Sequence, residues 1–352
     1  MAAKAYIIGT GCISPQNTTD ENYFFETIIG PNGDHFPAIE PSYKEHINPN
    51  MLRRMGRAIK MGASAARMAM TEAKLENVDA IMSGTGLGCF EDSEKFLLAI
   101  LNNDEQFLTP TSFIQSTHNT VGSQVALIMK CHEYNYTYTH RGFSFESSVM
   151  DALLSLNEGK KNILIGGIEE HTPLFVELNR QAKKFNTDTT HPLFEGKTHG
   201  IQMGEGSAFF VVSSEKQNAQ SSIDGISFLY KPKSSKEVLD KINQFLDSQN
   251  TALDNIDLVL FGFSGDSDFD NYLLELLPLV SNHSATAHYK HLCGDYHTAG
   301  AFATWLADKI IRKQEIPHTI RINHHTKTSI KSILIINAYL GINYSFTLLR
   351  QC

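Results

Sequence analysis

The sequence predicts an α/β fold of two halves, and three observations predict it. Short apolar runs that suit buried strands alternate with longer stretches of helical spacing throughout the chain. A polar stretch without periodicity, Ser213 to Ser222, divides them into residues 1–212 and 213–352. A chain of 352 residues with 41% hydrophobic residues can also bury a large core.

The elements follow in order. Ala5 to Ile8 is a strand leading into the turn Gly9-Thr10-Gly11-Cys12-Ile13-Ser14-Pro15. Met51 to Lys74 has the spacing of one long amphipathic helix, with Met51, Met55, Ile59, Ala63, Ala66, Met70 and Ala73 on one face. Its small residues allow close approach to a neighbour, and Arg53, Arg54, Arg57 and Lys60 form a basic cluster read as a solvated face. Ala80 to Met82 is a strand running into Ser83-Gly84-Thr85-Gly86-Leu87-Gly88. The third glycine of that run comes one residue too early for a dinucleotide fingerprint and no acidic partner follows, so it is a turn.

Tyr134 to His171 forms one strand-turn-helix-strand unit. Tyr136 to Thr139 is rich in aromatic and β-branched residues and suits a pleated, buried surface. A tight turn at Arg141-Gly142 precedes Phe145, Val149, Ala152, Leu153 and Leu156 at helical spacing, and Gly159 supplies a left-handed cap. Ile163 to Ile165 then reads as a buried parallel strand ending in Gly166-Gly167. Beyond the polar stretch, strands are predicted at Ile226 to Tyr230, Leu258 to Phe261, Ala285 to His288, Ile333 to Ile336 and Tyr344 to Leu349. Helices are predicted at Lys236 to Leu246, around Phe269 to Leu277, and at Ala299 to Arg312.

Composition limits the function. Thirty basic and 38 acidic residues give a net charge of −8, so no sequence-independent attraction to nucleic acid or anionic lipid is expected. The chain has no apolar run of about 18 residues and no basic-plus-apolar leader pattern, and is expected to be soluble, unprocessed and without membrane insertion. Five cysteines without framework spacing point to a reducing cytoplasm, which makes the sequons at Asn17, Asn135, Asn282 and Asn343 chance matches.

Several segments together resemble the β-ketoacyl synthases, the condensing enzymes of fatty-acid and polyketide synthesis. Ile165-Gly166-Gly167-Ile168-Glu169 is similar to their A-G-G-x-E strand end, and Gly9 to Pro15 to their G-x-G-x-x-[ST]-P opening. Pro110-Thr111-Ser112-Phe113, Ser116 and Asn119 resemble the P-T-x-F-x-x-S-x-x-N segment of the family's dimer interface, and Gly204-Glu205-Gly206 resembles G-E-G-A. The resemblance spans nearly the whole chain and implies the thiolase-like five-layer αβαβα fold.

The resemblance also implies a Cys-His-His site, and here the chain departs from it. Matching Ala152 and Gly159 puts Gly142 at the family's nucleophilic cysteine, and matching Thr139 puts Arg141 there; no cysteine lies between Cys131 and Cys293. The first histidine, of D-x-V-x-x-H-G-T, falls on Gly262, with no histidine between His199 and His283. The second, of K-S-x-x-G-H-x-x-G-A-A-G, falls on Asp295 after Lys290 and Gly294, with His297 two residues on. The F-G-F-G gating loop becomes Tyr339-Leu340-Gly341.

These departures make the chain similar to the chain-length-factor subunits of aromatic polyketide and aryl-polyene pathways. That implies a heterodimer with an active ketosynthase, contact with an acyl carrier protein, an acyl tunnel lined from Pro110 to Lys130, and no cofactor. Two rivals stand beside it: an acyltransferase or condensing enzyme using Ser144 with His140 or His297 as base, and a homodimeric protein that binds an acyl chain or carrier. The plain reading of Ser144 is a helix cap at Phe145. His288, His291, Cys293 and His297 have metal-like spacing but lie across a strand end and loop, and no metal is expected. Asp266, Asp268 and Asp270 imitate the start of a calcium loop, but Asn271 and Leu277 at the sixth and twelfth positions do not continue it. They are read as first-turn carboxylates at a helix N-terminus.

Overall fold

The structure, a computed structural model, describes residues 4–20, 22–33, 35–186, 191–325 and 329–352. The first five long strands are β1 (Ala5–Ile13), β2 (Ala80–Gly84), β3 (Tyr134–Tyr138), β4 (Asn162–Glu169) and β5 (Gly206–Ser213). The next five are β6 (Ser221–Tyr230), β7 (Leu258–Gly262), β8 (Ala285–His288), β9 (Ser332–Tyr339) and β10 (Asn343–Gln351). They are joined in the order β8-β7-β9-β10-β6-β1-β5-β4-β2-β3. Counted outward from the centre, each set of five runs first, fifth, fourth, second, third. In each, the second strand is parallel to the third and fourth, and the fifth is antiparallel to the fourth and first. Among the described residues, three pairs, Ala5↔Ile223, Tyr6↔Ser222 and Ile7↔Ser221, join the two sets.

The longer helices are α1 (Arg57–Ala73), α2 (Phe90–Asn102), α3 (Thr120–Met129), α4 (Ser144–Asn157), α5 (Pro173–Gln181), α6 (Ser235–Ser248), α7 (Asn271–Ser281) and α8 (Ala299–Lys313). Side chains alternate across a strand, so each sheet face buries a different core. Ile163 and Ile165 of β4 and Leu258 and Leu260 of β7 share one core with α4 and α8. Leu164 and Ile168 pack with α1 and α3 on the opposite face. Val259 and Phe261 pack with α6 and α7. Helices therefore lie outside, between and outside the two strand sets, which is the five-layer αβαβα arrangement. Burial on both faces explains why these strands are continuous apolar runs.

Three local expectations change. The helix expected over Met51 to Lys74 is broken into Pro49–Leu52 and Arg57–Ala73. The buried Glu170 carboxylate accepts the Ala58 N–H at 2.9 Å and so starts α1 there. Arg57 is not on a solvated face: its guanidinium grips Glu205 with Nη1 and Nη2 at 2.6 and 2.5 Å. Strand β3 is an edge strand, with Tyr134 43% and Tyr136 50% exposed, rather than a buried one.

Close packing of α1 on β1 depends on glycine. A Cβ on Gly9 would stand 2.1 Å from the Ala69 carbonyl oxygen and one on Gly11 2.1 Å from that of Ala65, backbone atoms that cannot yield without moving the helix. Replacing Gly9 with Val should therefore cost about 3 kcal/mol in urea unfolding, from overpacking; an unchanged midpoint would contradict this contact.

Candidate functional site

The candidate site lies where α4 follows β3. The chain leaves β3 at Tyr138, turns through a 3-10 segment at Arg141–Phe143 and enters α4 at Ser144. Arg141 has φ +53°, a left-handed conformation that costs a non-glycine residue about 1 kcal/mol or more. Gly142 is buried against Tyr339, whose Cβ would lie 2.5 Å from a Cβ placed on it. No larger residue fits at Gly142 without displacing Tyr339.

Ser144 is fully buried, and its hydroxyl donates to the Arg141 carbonyl at 2.7 Å. The helix starts at Ser144 itself, and this hydroxyl donates to a carbonyl rather than accepting an amide, so it is not the cap expected at Phe145. The two imidazoles considered as its base are engaged elsewhere. His140 Nδ1 lies 3.0 Å from Ser147 Oγ, and His297 Nε2 lies 3.0 Å from the Tyr339 hydroxyl.

Glu169, at the end of β4, organises the opposite wall. It accepts the N–H groups of Gly86 and Leu87 at 2.9 and 2.8 Å and the Thr85 hydroxyl at 3.1 Å. The amides of the glycine-rich turn are thus occupied by a carboxylate of the chain itself. His297 Nδ1 lies 3.3 Å from Glu169 Oε2. Burial alone would raise the Glu169 pKa, but His297 and the Leu87 and Gly86 amides outweigh it and hold it below the usual value. Gly86 makes room for this histidine: a Cβ there would be 2.1 Å from the imidazole ring.

Lys290 and Asp295 form a separate buried pair. Lys290 Nζ lies 2.7 Å from Asp295 Oδ1 and donates to the Ala338 carbonyl at 2.6 Å. Burial raises the Asp295 pKa, and Lys290 offsets part of that rise. Asp295 is thereby held by Lys290, while His297, immediately before α8, reaches Tyr339 beside the elbow. The spacing His297-x-x-Gly300-Ala301 was the sequence signal for this, obscured by two extra residues after Gly294.

Gly262 ends β7, where a Cβ would meet the Tyr289 hydroxyl at 2.8 Å and Asn337 Oδ1 at 2.9 Å. The Tyr289 hydroxyl donates to Asn337 Oδ1 at 2.8 Å, and Asn337 Nδ2 and the Ser345 hydroxyl donate to Glu146 Oε1 at 3.2 and 3.1 Å. Glu146 Oε2 has no hydrogen-bond partner among the described residues. Burial pushes this carboxyl up to about 7. Sequence reasoning missed Glu146; its only signal was an acidic residue between Phe145 and Val149 on a buried helix face. In the loop after β9, Leu340 and Gly341 are both left-handed, at φ +52° and +62°.

The four residues with metal-like spacing, His288, His291, Cys293 and His297, are engaged separately. His288 and His291 stack at 3.9 Å, His291 Nε2 lies 3.1 Å from the Thr319 carbonyl, and His297 faces Tyr339. Among the described residues, no group of three or more His, Cys, Asp or Glu could hold a metal ion. Asp266 instead accepts the Gly200, Asp268 and Phe269 amides, and Asp270 accepts those of Ser264 and Gly265.

Residues 33–246, more than half of the chain, match the family described as β-ketoacyl synthase, N-terminal domain. The chain belongs to the β-ketoacyl synthase family. No curated protein matches it in sequence. Solved structures share its fold, as a ketosynthase-like chain should. The ishigamide ketosynthase/chain length factor is 16% identical with a TM-score of 0.80 over 100% of both chains. A β-ketoacyl synthase from Burkholderia phymatum STM815 is 15% identical with a TM-score of 0.79, over 99% of this chain and 100% of that one. The complex of the ketosynthase ApeO with its chain length factor ApeC from Xenorhabdus doucetiae gives 12% identity and a TM-score of 0.77, over 99% and 98%. At these identities the likeness establishes the thiolase-like fold. Among the described residues no helix is long and apolar enough to cross a membrane.

The Glu146 carboxyl makes stability depend on pH. Its pKa is raised from 4.5 in the unfolded chain to about 7 in the fold, so its contribution is full below about pH 4.5 and lost as pH rises through 7. Between pH 5 and 8 the native protein should lose about 2 to 3 kcal/mol relative to Glu146→Gln, measured by urea unfolding of both. Parallel pH profiles would contradict the assignment.

Proposed function

We propose that this chain is a ketosynthase-like subunit that pairs with an active β-ketoacyl synthase and shapes its acyl tunnel, so setting chain length. The observation that carries the reading is the elbow. Where the family places a nucleophilic cysteine the chain has Arg141-Gly142, neither of which can form a thioester, and the nearest hydroxyl, Ser144, is tied to a carbonyl. Losing the nucleophile costs on the order of 10⁴ to 10⁶ in rate, so condensation by the family's route is not available to this chain alone. Gly262 at the first histidine position removes one imidazole of the family's pair, and His297 is engaged with Tyr339.

The surface beside the elbow supports pairing. Strand β3 ends the sheet with its outer edge unpaired, and Tyr134 and Tyr136 stack along it. Leu127, on the helix α3 that packs against it, is 63% exposed, and earlier in the chain Phe107 is 91% exposed, Leu101 74%, Ile114 65% and Phe113 57%. An edge strand with exposed tyrosines beside an exposed Leu127, and several large apolar side chains exposed over residues 101–127, fit a protein interface. Much of it falls in residues 110–130, which we assign to the far wall of the partner's tunnel. An acyl carrier protein is the second partner in this reading. One similar structure is a type II polyketide synthase acyl-carrier protein in complex with its ketosynthase bound to the hexaketide. We further assign residues 1–212 and 213–352 to the two ketosynthase-like halves, and the protein to the cytoplasm.

Co-expression with an intact ketosynthase should give a one-to-one complex on size-exclusion chromatography. The double substitution Tyr136→Glu, Leu127→Glu should abolish that complex while leaving the circular dichroism spectrum unchanged. A chain that stays monomeric with the ketosynthase present would overturn the proposal.

A further inference from the structure

The outer edge of β8 is closed by a strap of irregular backbone. Arg321 bridges Ala287, the Ile322 N–H donates to the Thr286 carbonyl at 2.8 Å, and the Thr286 N–H donates to Asn323 Oδ1 at 3.0 Å. Asn323 Nδ2 donates in turn to the Ser284 carbonyl at 2.9 Å. The strap begins in a 3-10 turn at His318–Ile320, where the Thr319 hydroxyl donates to the Phe25 carbonyl at 3.0 Å. Residues 318–323 therefore satisfy the backbone of an edge strand and tie it to a loop of the first half.

Two imidazoles stand under this strap. His291 Nε2 lies 3.1 Å from the Thr319 carbonyl; a carbonyl only accepts, so Nε2 carries the hydrogen and Nδ1 is left as a bare lone pair. His288 stacks on His291 with ring centroids 3.9 Å apart, and Phe194 packs edge-on against it at 4.9 Å. Neither Nδ1 has a hydrogen-bond partner among the described residues. A proton added there would be a buried charge without an acceptor, pressed against a second imidazole. Burial holds His291 down to about 4, against a weaker upward pull from the Thr319 carbonyl. Burial and His291 together hold His288 well below the ordinary value. Charged groups on the neighbouring elements are engaged elsewhere. Glu195 pairs with Lys197 and His191, Lys290 with Asp295, and on α7 Glu275 accepts the Ser235 hydroxyl. On the strap itself, the Arg321 guanidinium donates to the Ile316 carbonyl and His318 is exposed.

We infer that the stacked pair His288 and His291 is an acid-sensitive latch for residues 318–323: protonation of the pair frees the strap and bares the outer edge of β8. Both imidazoles are neutral while the strap is closed and regain their ordinary value of about 6.5 when it opens. Closure is therefore fully favoured above that value and is lost as pH falls from 6.5 towards 4. Opening exposes the Thr286 amide and carbonyl, the groups through which an edge strand can add another strand. The latch does not depend on the pairing proposed above.

The test is hydrogen exchange of the 352-residue chain at pH 7 and pH 5, read by mass spectrometry and expressed relative to the intrinsic rate at each pH. Protection over residues 284–288 and 318–323 should fall by about 20-fold for each imidazole that regains its ordinary value, while Leu258–Gly262 of β7 stays protected. His291→Gln keeps a donor for Thr319 but does not titrate, and His288→Phe keeps a stacked ring. The double variant should hold the strap equally at both pH values. Each single variant should keep about half of the logarithmic pH effect, which preserves the comparison if the double variant fails to fold. Native protection that is unchanged between pH 7 and pH 5 would overturn the inference. So would a loss that β7 shares, which is global unfolding, or a loss of native size in the folded variants.

Discussion

Two consecutive buried carboxylates at the end of β4 hold the upper face of the molecule together. Glu169 takes the amides of Gly86 and Leu87 and faces His297. Glu170 takes those of Ala58 and Glu91, near the N-termini of α1 and α2. One strand end therefore positions a loop, two helices and the histidine that reaches the elbow. Burying two adjacent carboxylates is tolerable only because several donors converge on them. Their environments separate them: burial pushes Glu170 up to about 7, while His297 and the amides hold Glu169 down.

This framework fixes the shape of the site independently of any reactive group. The Arg141-Gly142 turn, the Tyr339 loop and the Glu146 network are mutually packed, and glycines at 86, 142, 262 and 300 leave the space that those side chains fill. A fold held by such contacts can lose a nucleophile and keep its surface. Retention of the five layers together with Arg141-Gly142 at the elbow is what the proposed shape-giving subunit would require.

Much of the fold was legible in the sequence because it rests on local periodicity. The apolar runs at Leu258 to Phe261 and Ala285 to His288, and the helical spacing over Ala299 to Arg312, match β7, β8 and α8 closely. Missed features depend on partners far along the chain. The break in Met51 to Lys74 is imposed by Glu170, and the engagement of Arg57 by Glu205; neither residue is near in sequence. The exposure of β3 follows from its place at the sheet edge, which strand propensity cannot report. At the site, the Lys290 to Gly294 spacing pointed to Asp295, but charge decided otherwise: Lys290 holds the aspartate and leaves His297 to reach Tyr339. Glu146 left almost no trace, since a buried acid on an apolar helix face is unremarkable until its partners on β9 and β10 are placed.

The most direct test of a shape-giving, non-catalytic role is where the acyl group sits during turnover. A complex of this chain with an active ketosynthase would be quenched during elongation with acyl and malonyl carrier protein, and both chains mapped by mass spectrometry. The account predicts a covalent acyl adduct on the partner's cysteine alone, with none on this chain. An acyl group on Ser144, Tyr339 or any other residue of this chain, formed at the rate of turnover, would contradict it.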